Sequence, residues 1–422
     1  MTNAPSATNA FSFKTYFNPY ISPTTNSVWG VVSVAANEQP QAMVQEVLIS
    51  VICDVSGSMQ GAKFNNAIAT VEDLIMNSPN GISLQVVLFD DSADETLPLV
   101  KLTSKTDRNV LLSLFRGNAK RVRMFGGTAM STGIRMAINA QSLIRGSAAR
   151  YGIFLTDGQN TESESMLAQA VKGAADVGMH LCAFGYGSDW NPDQLTKMAQ
   201  ITQGWMPQAV TDPTELRDEF ASLVSRMAKT VASDVVLHLW TPTGAKILSL
   251  SQAYPNWVKN EAAPLGDGHT WVVPVPPMTE KDHRDFVFHI ELASVGARVV
   301  ACKPSIVYMS GEDRVEEKGN QATWMILQQT NDNLLINQVN PVVAGYLGQG
   351  QLAAATRAMT EALAVGDEAA AQRHRTEALD IARAVGNRNM TQVLEDAENA
   401  NSVARKTAAL GTSTVSLTDD ES

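Results

Sequence analysis

The stretch that most constrains this chain is VQEVLISVICDVSGSM, residues 44–59. From Val47 to Cys53 it is almost wholly apolar, as a strand reads when both its faces are buried. It then breaks into Asp54-Val55-Ser56-Gly57-Ser58-Met59, and beyond the break Phe64, Ala67, Ile68, Val71 and Ile75 recur at helical spacing. A doubly buried strand followed by an amphipathic helix implies parallel pairing, because parallel strands need a long crossover. The alternation continues: ISLQVVLF (82–89) reads as a strand, TAMSTGIRMAINAQSLI (128–144) as a helix, YGIFLTD (151–157) as a strand, MLAQAVKGAADVG (166–178) as a helix and MHLCAFG (179–185) as a strand. The last helix has a clear start, with Asp212 as N-cap, Pro213 at the first helical position and Glu215 placed for a capping box. Residues 44–229 are therefore expected to form an α/β domain with a doubly wound, mostly parallel sheet.

After about residue 230 the apolar period changes to two. In DFVFHIEL, Phe286, Phe288, Ile290 and Leu292 alternate with their neighbours, and VVLHLW, KILSLS, TWVVPV, ARVVAC and SIVYM are further short strands. This predicts an antiparallel β-sandwich over 230–320. In the N-terminal segment, 1–43, SVWGVVSVAA (27–36) reads as a strand that joins this sheet, which makes the α/β block an insertion. The rest of 1–26 reads as irregular. Residues 321–405 read as a helical hairpin or bundle beginning with ATWMILQQTNDNLLINQV, with Gly366 and Gly386 ending two helices. Residues 406–422 read as a disordered acidic tail.

At 422 residues the chain is long enough for two or three domains. Acidic residues outnumber basic ones 43 to 32, a net charge of −11, which argues against a nucleic-acid partner. Cys53, Cys182 and Cys302 are too few and too far apart for a disulfide framework or a structural zinc site. No leader-like start and no apolar run of about 18 residues is visible, so the expectation is a soluble, cytoplasmic protein without membrane insertion.

The chemistry sits where the first parallel strand ends. In such sheets the carboxyl ends of the strands form the ligand edge, and Asp54, Ser56 and Ser58 are presented there. Two more loops are expected at the same edge: FGGTAM brings Thr128, and LTDGQN brings Asp157. All five side chains offer hard oxygens, a set that suits Mg²⁺ or Mn²⁺ and suits Ca²⁺ less because the ligands are few. Two carboxylates balance a divalent cation and leave it electrophilic. An open position then attracts a carboxylate from a protein partner.

The ordered set Asp54-x-Ser56-x-Ser58, Thr128 and Asp157 resembles the metal-ion-dependent adhesion site of the von Willebrand factor A domain. The resemblance covers roughly residues 45–228. It implies that Ser56, Ser58 and Thr128 coordinate the metal directly and that Asp54 and Asp157 act largely through water. It also implies a protein-binding module rather than an enzyme. A cytoplasmic A domain joined to an all-β module and helices is similar to bacterial scaffold or adaptor proteins of assembly, stress or signalling systems. Two alternatives stay open: a metal-dependent phosphoester hydrolase, and a chelatase-like adaptor to an AAA+ ATPase. Against the hydrolase, no general base and no second carboxylate cluster is placed, and no catalytic residue is assigned.

Other candidates carry less. Asp90 and Asp91 follow another strand end, where a solvated acidic turn is favoured over a place around the metal. Arg116, Lys120, Arg121 and Arg123 form the densest basic cluster and lead into the Thr128 loop. They are either an electrostatic collar that steers an acidic partner or an ordinary solvated surface. The six histidines lack ligand or triad spacing, and methionines near the loops read mainly as core. Thr412, Thr414 and Thr418 make the tail a candidate for phospho-dependent docking.

Overall fold

The computed structural model describes residues 9–37, 46–122, 126–146, 148–187, 189–205, 207–210, 212–232, 234–260, 263–310, 313–395 and 413–418. These fall into two compact units. One is built from 46–232, the other from 9–37, 234–309, 313–395 and 413–418.

In the first unit the strand Glu46–Asp54 lies centrally in a six-stranded sheet. Its parallel neighbours are Ser83–Phe89 on one side and Ala148–Thr156 on the other. Met179–Tyr186 and Gln208–Val210 extend the parallel run. Ala93–Lys101 closes the far edge in antiparallel sense. Alternate strand residues feed two cores, because successive side chains point to opposite faces. Ile49, Val51 and Cys53 meet the helices Ala62–Asn77, Lys105–Ala119 and Pro213–Met227. Ile52, on the other face, meets Met130–Gln141, Glu164–Asp176 and Pro192–Thr202. Helix Met130–Gln141 lies unusually close to the sheet at Gly133, where a methyl group would fall 2.7 Å from Ile52 and 2.9 Å from Phe89. That close approach fixes the height of the loop that precedes the helix.

The strand order turns back on either side of Glu46–Asp54. Asp54 pairs with Phe89, and Cys53 pairs with both Leu88 and Leu155. The carboxyl ends of 46–54 and 148–156 therefore flank a topological switch point, where open α/β sheets bind ligands.

In the second unit, Ser27–Ala36 pairs with Phe11–Phe17 and along its length with His283–Glu291, in a sheet completed by Lys246–Tyr254 and Val258–Asn260. A second sheet contains Thr270–Val275, Val235–Trp240, Arg298–Ser310, Met325–Gln329 and Tyr20–Ile21. The two sheets stack. Met325 fills the space beside Gly30, where a Cβ would lie 2.5 Å from its Cε. Phe11 meets Tyr308 edge-on at 5.2 Å between ring centroids. The helix Pro341–Ala364 lays Val343 and Tyr346 on Val31, Ala253 and Val287. Its later residues pack with Glu368–Ala384 and Arg388–Glu395.

Four expectations change. Residues 322–339 are not one helix: Met325–Gln329 is a strand between 298–310 and 20–21, with Met325 and Leu327 buried and Ile326 and Gln328 less so. An open sheet edge captured a segment whose composition suits either state. Phe11–Phe17 is a strand rather than irregular chain. Residues 297–302 and 305–309 are one strand, Arg298–Ser310, with Pro304 inside it. Within the tail, residues 413–418 are held against the second unit rather than disordered. Residues 396–405, read as the end of a helix, lie outside the described residues. Helices 105–119 and 192–202 and strands 93–101 and 313–318 are not marked by the apolar periodicity.

Candidate metal centre

Asp54 is the last residue of the central strand and is fully buried. Its Oδ1 accepts from the Ser56 amide at 2.8 Å, and its Oδ2 accepts from the Thr156 hydroxyl at 2.6 Å. Burial pushes its pKa up, and those hydrogen bonds oppose the shift. The same environment drives the Cys53 thiol up to about 12, first through burial and then through the Asp54 charge. Cys53 is thus an inert packing residue, and Cys182 and Cys302 are likewise buried free thiols.

The chain turns at Ser56, and Ser56 Oγ lies 3.1 Å from Ser58 Oγ. Ser58 is exposed and donates to Asp157 Oδ1 at 2.6 Å, across the gap between the two strand ends. Asp157 is itself fully buried. Thr128 arrives on the third loop. Gly158 faces both remaining hydroxyls: a side chain there would begin 3.4 Å from Ser58 Oγ and 3.6 Å from Thr128 Oγ1. The five residues singled out in the sequence are thus brought to one place.

The Thr128 loop is laced in from both sides. Thr128 donates its amide to Thr161 Oγ1 at 2.8 Å and accepts from the Thr161 amide at 3.0 Å. Glu162 accepts from the Ser131 amide and hydroxyl, each at 2.6 Å, which sets a carboxylate at the start of helix 130–141. Asp90 is buried and accepts from the amides of Gly126 and Ser92. It is neither a solvated turn nor committed to the five-residue cluster: it braces the loop that carries Thr128. Asp91 is exposed, and its carboxylate lies against Gly126 and Gly127, where a Cβ on either would fall within 2.6 Å of an oxygen.

Lys63 was not anticipated. Its ammonium pairs with Asp157 Oδ2, with the lysine side chain 34% exposed and the aspartate 0%. Lys63 lies in the first turn of helix 62–77, which holds no acidic residue. A cation there opposes the helix dipole, and the ion pair with Asp157 offsets that cost. A cation is therefore already drawn to this carboxylate. Thr156 was also missed, although its place directly before Asp157 pointed to it.

The donor set suits a divalent cation. Three hydroxyls and two carboxylates, all hard oxygens, converge at a strand edge. Ser56, Ser58 and Thr128 would hold the ion, with Asp54 and Asp157 behind them. Among the described residues no group of three or more His, Cys, Asp or Glu gathers as a metal site.

The basic cluster is only partly available. Arg116 is engaged in a bidentate pair with Glu72, two contacts of 2.6 Å. Lys120 and Arg121 are exposed. Arg123 lies outside the described residues. No helix among the described residues is long and apolar enough to cross a membrane.

Residues 49–222 match the family model of the von Willebrand factor type A domain, so the chain carries such a domain. The uncharacterized protein sll0103 of Synechocystis is 24% identical over 198 residues, 47% of this chain and 45% of that protein. The inter-alpha-trypsin inhibitor heavy chain H1 of Mesocricetus auratus is 25% identical over 210 residues, 48% of this chain and 22% of that one. The chain thus spans less than half the length of these curated relatives. Among solved structures, a von Willebrand factor type A protein from Catenulispora acidiphila superposes with a TM-score of 0.85 at 23% identity, over 98% of this chain and 99% of the other. The ArnB paralog VWA2 of Sulfolobus acidocaldarius gives 0.59 at 15%, over 95% and 98%. At these identities the likeness is one of fold.

Proposed function

We propose that the von Willebrand factor type A domain of this chain is a metal-dependent protein-binding module. In this reading Ser56, Ser58 and Thr128, backed by Asp54 and Asp157, hold Mg²⁺, with Mn²⁺ as a substitute. When bound, the cation supplies an electrophilic position that accepts a carboxylate from a partner protein. Domains of this type often mediate protein–protein interactions. The observation that carries the reading is the convergence of three hydroxyls and two buried carboxylates from three separate loops, with Ser58 at the surface.

The chain's own residues support binding over turnover. Asp54 is held by the Ser56 amide and the Thr156 hydroxyl, so it orients the loop and is poorly placed to accept a substrate proton. Ser56 and Ser58 lie against each other, and the carboxylate that accepts from Ser58, Asp157, is also engaged by the Lys63 ammonium, which opposes its taking up the serine proton. A divalent cation against two carboxylates is neutral, and Lys63 adds one positive charge. Such a site attracts an anion. The module is then a scaffold or adaptor, working in the cytoplasm, with the second unit presenting or assembling.

Calorimetry with Mg²⁺ and Mn²⁺ tests this, on wild type and on Ser56→Ala/Ser58→Ala, followed by capture of partners with and without EDTA. Metal binding by wild type alone, with a partner released by EDTA and competed by free acetate, is the expected result. Steady turnover of a phosphoester that Asp54→Ala abolishes would replace this reading with a hydrolase. Absence of metal binding would end both.

A further inference from the structure

The second unit holds residues 413–418 in a way that packing of a stray tail does not explain. Val415, an apolar residue, is 41% exposed, while Thr414 and Thr418 are buried. The main chain is read group by group. Ser413 bridges to Asn256, and its carbonyl accepts from Asn387 Nδ2 at 3.2 Å. The Thr414 amide donates to the Pro255 carbonyl at 3.1 Å, and its hydroxyl donates to the Ala253 carbonyl at 2.5 Å. Gln349, 1% exposed, accepts from the Val415 amide at 2.6 Å and donates to its carbonyl at 2.9 Å. The Leu417 amide donates to Tyr346 Oη at 3.0 Å.

The side-chain sockets are equally specific. Leu417 occupies the space a side chain at Gly345 would need: a Cβ there would meet its Cδ1 at 2.5 Å. Thr418 Oγ1 donates to Asp285 Oδ2 at 2.7 Å, beside the hydroxyl of Tyr346, which donates to the same oxygen. Asp285 is fully buried, and among the described residues its Oδ1 has no hydrogen-bond partner. Without the strap, Gln349 loses both of its hydrogen bonds to Val415, and this carboxylate loses one of its two hydroxyl donors. Buried polar groups left this way are costly. The groove therefore matches a hydroxyl-bearing extended segment, although Asp285 also keeps Tyr346 and His283, whose Nε2 lies 3.6 Å from Oδ2.

We propose that this groove, between the end of strand 246–254 and helix 341–364, is a peptide-binding site for an extended Thr-x-Ser-Leu-Thr segment, and that the chain's own tail fills it as an intramolecular ligand. Seventeen residues, 396–412, connect the last helix to the strap. A tether of that length holds its ligand at an effective concentration on the order of millimolar. A segment of this pattern in trans therefore enters once the strap is displaced.

The test uses the full-length chain. Thr418→Glu sets a carboxylate against buried Asp285 and is expected to release the strap. Hydrogen exchange of residues 413–418 is read in wild type and variant, together with anisotropy of a labelled peptide of residues 411–420. In wild type the strap amides are protected and the added peptide does not bind. In the variant, exchange at the Val415 and Leu417 amides rises by roughly a hundredfold or more, and the unmodified peptide binds. A peptide with Val in place of its Thr418 binds roughly tenfold to a hundredfold more weakly. Adding Gln349→Ala to the opened chain removes binding. Should Thr418→Glu lose its fold by circular dichroism, Leu417→Glu opens the strap from its less buried side. Strap amides that exchange freely in wild type would overturn the proposal. So would an opened chain that ignores the peptide, or equal affinity for the Thr and Val peptides.

Discussion

Lys63→Met separates the stability of the candidate metal centre from the Mg²⁺ affinity proposed for it, because the two should move in opposite directions. Without metal, the substitution removes the ammonium that pairs with buried Asp157. Breaking a fully buried pair costs about 3–5 kcal/mol, whereas an exposed pair is worth about 0–1. Here one partner is a third exposed, and Asp157 keeps its hydrogen bond from Ser58. Methionine also relieves about 0.3–1 kcal/mol of unfavourable charge at the helix start. The net loss is therefore about 1 kcal/mol, read as a lower urea midpoint in EDTA. With metal the sign reverses. Mg²⁺ carries two charges, so an ammonium about 5 Å from it at an effective dielectric constant of about 20 is repelled by about 7 kcal/mol. The lysine can swing into solvent and shed most of this repulsion. Mg²⁺ should then bind roughly tenfold to a hundredfold more tightly by calorimetry, and the variant should match or exceed wild type in saturating Mg²⁺. Unchanged or weaker Mg²⁺ affinity would refute the idea that Lys63 competes for the carboxylate.

Three further outcomes follow from the same geometry. Thr156→Val keeps the side-chain shape but removes the hydroxyl that donates to Asp54, and should cost about 1.5–3 kcal/mol in EDTA; an unchanged urea midpoint would show that Asp54 does not depend on this bond. Gly133→Val forces a branched side chain against Ile52 and Phe89 and should cost about 1–3 kcal/mol while displacing the Thr128 loop, seen as shifted amide resonances at 126–129; resonances that stay in place would refute the coupling. His180 is buried, with Nδ1 2.7 Å from the Thr202 carbonyl, and burial holds its pKa down to about 4. The unfolded chain protonates first, so this group's contribution is full above pH of about 6.5 and is lost as pH falls toward 4, about 3 kcal/mol in all. His180→Phe should flatten that part of the urea-midpoint profile, and equal slopes in the two proteins would count against it.

Legibility followed the length scale of each signal. The parallel strands from 46 to 186 are buried on both faces, so their apolar runs stand out without knowledge of their neighbours. The edge strand Ala93–Lys101 is half polar and contains a proline, and read as loop. Helix Lys105–Ala119 was hidden by its charges, although Ser104 caps it. Segment 325–329 depended on a sheet edge supplied by strand 298–310, hundreds of residues from its other neighbour at 20–21. Local composition cannot carry that information.

The candidate site divides the same way. Each of Asp54, Ser56, Ser58, Thr128 and Asp157 follows or faces a strand end that the periodicity marks, and one sheet edge gathers such ends. Sequence alone therefore marked which five oxygen-bearing residues this sheet edge gathers. It did not determine what surrounds the donors. That Lys63 reaches Asp157, that Asp90 braces Gly126 rather than facing solvent, and that Arg116 is engaged by Glu72 are results of helix placement against the sheet. The strap shows the limit most plainly. A polar, acidic tail has every local mark of disorder, and only the groove with its glycine socket, its amide and its buried carboxylate orders residues 413–418. Periodicity is local, so it is written in the chain. Satisfaction of buried polar groups joins residues far apart in sequence, and only the folded structure decides it.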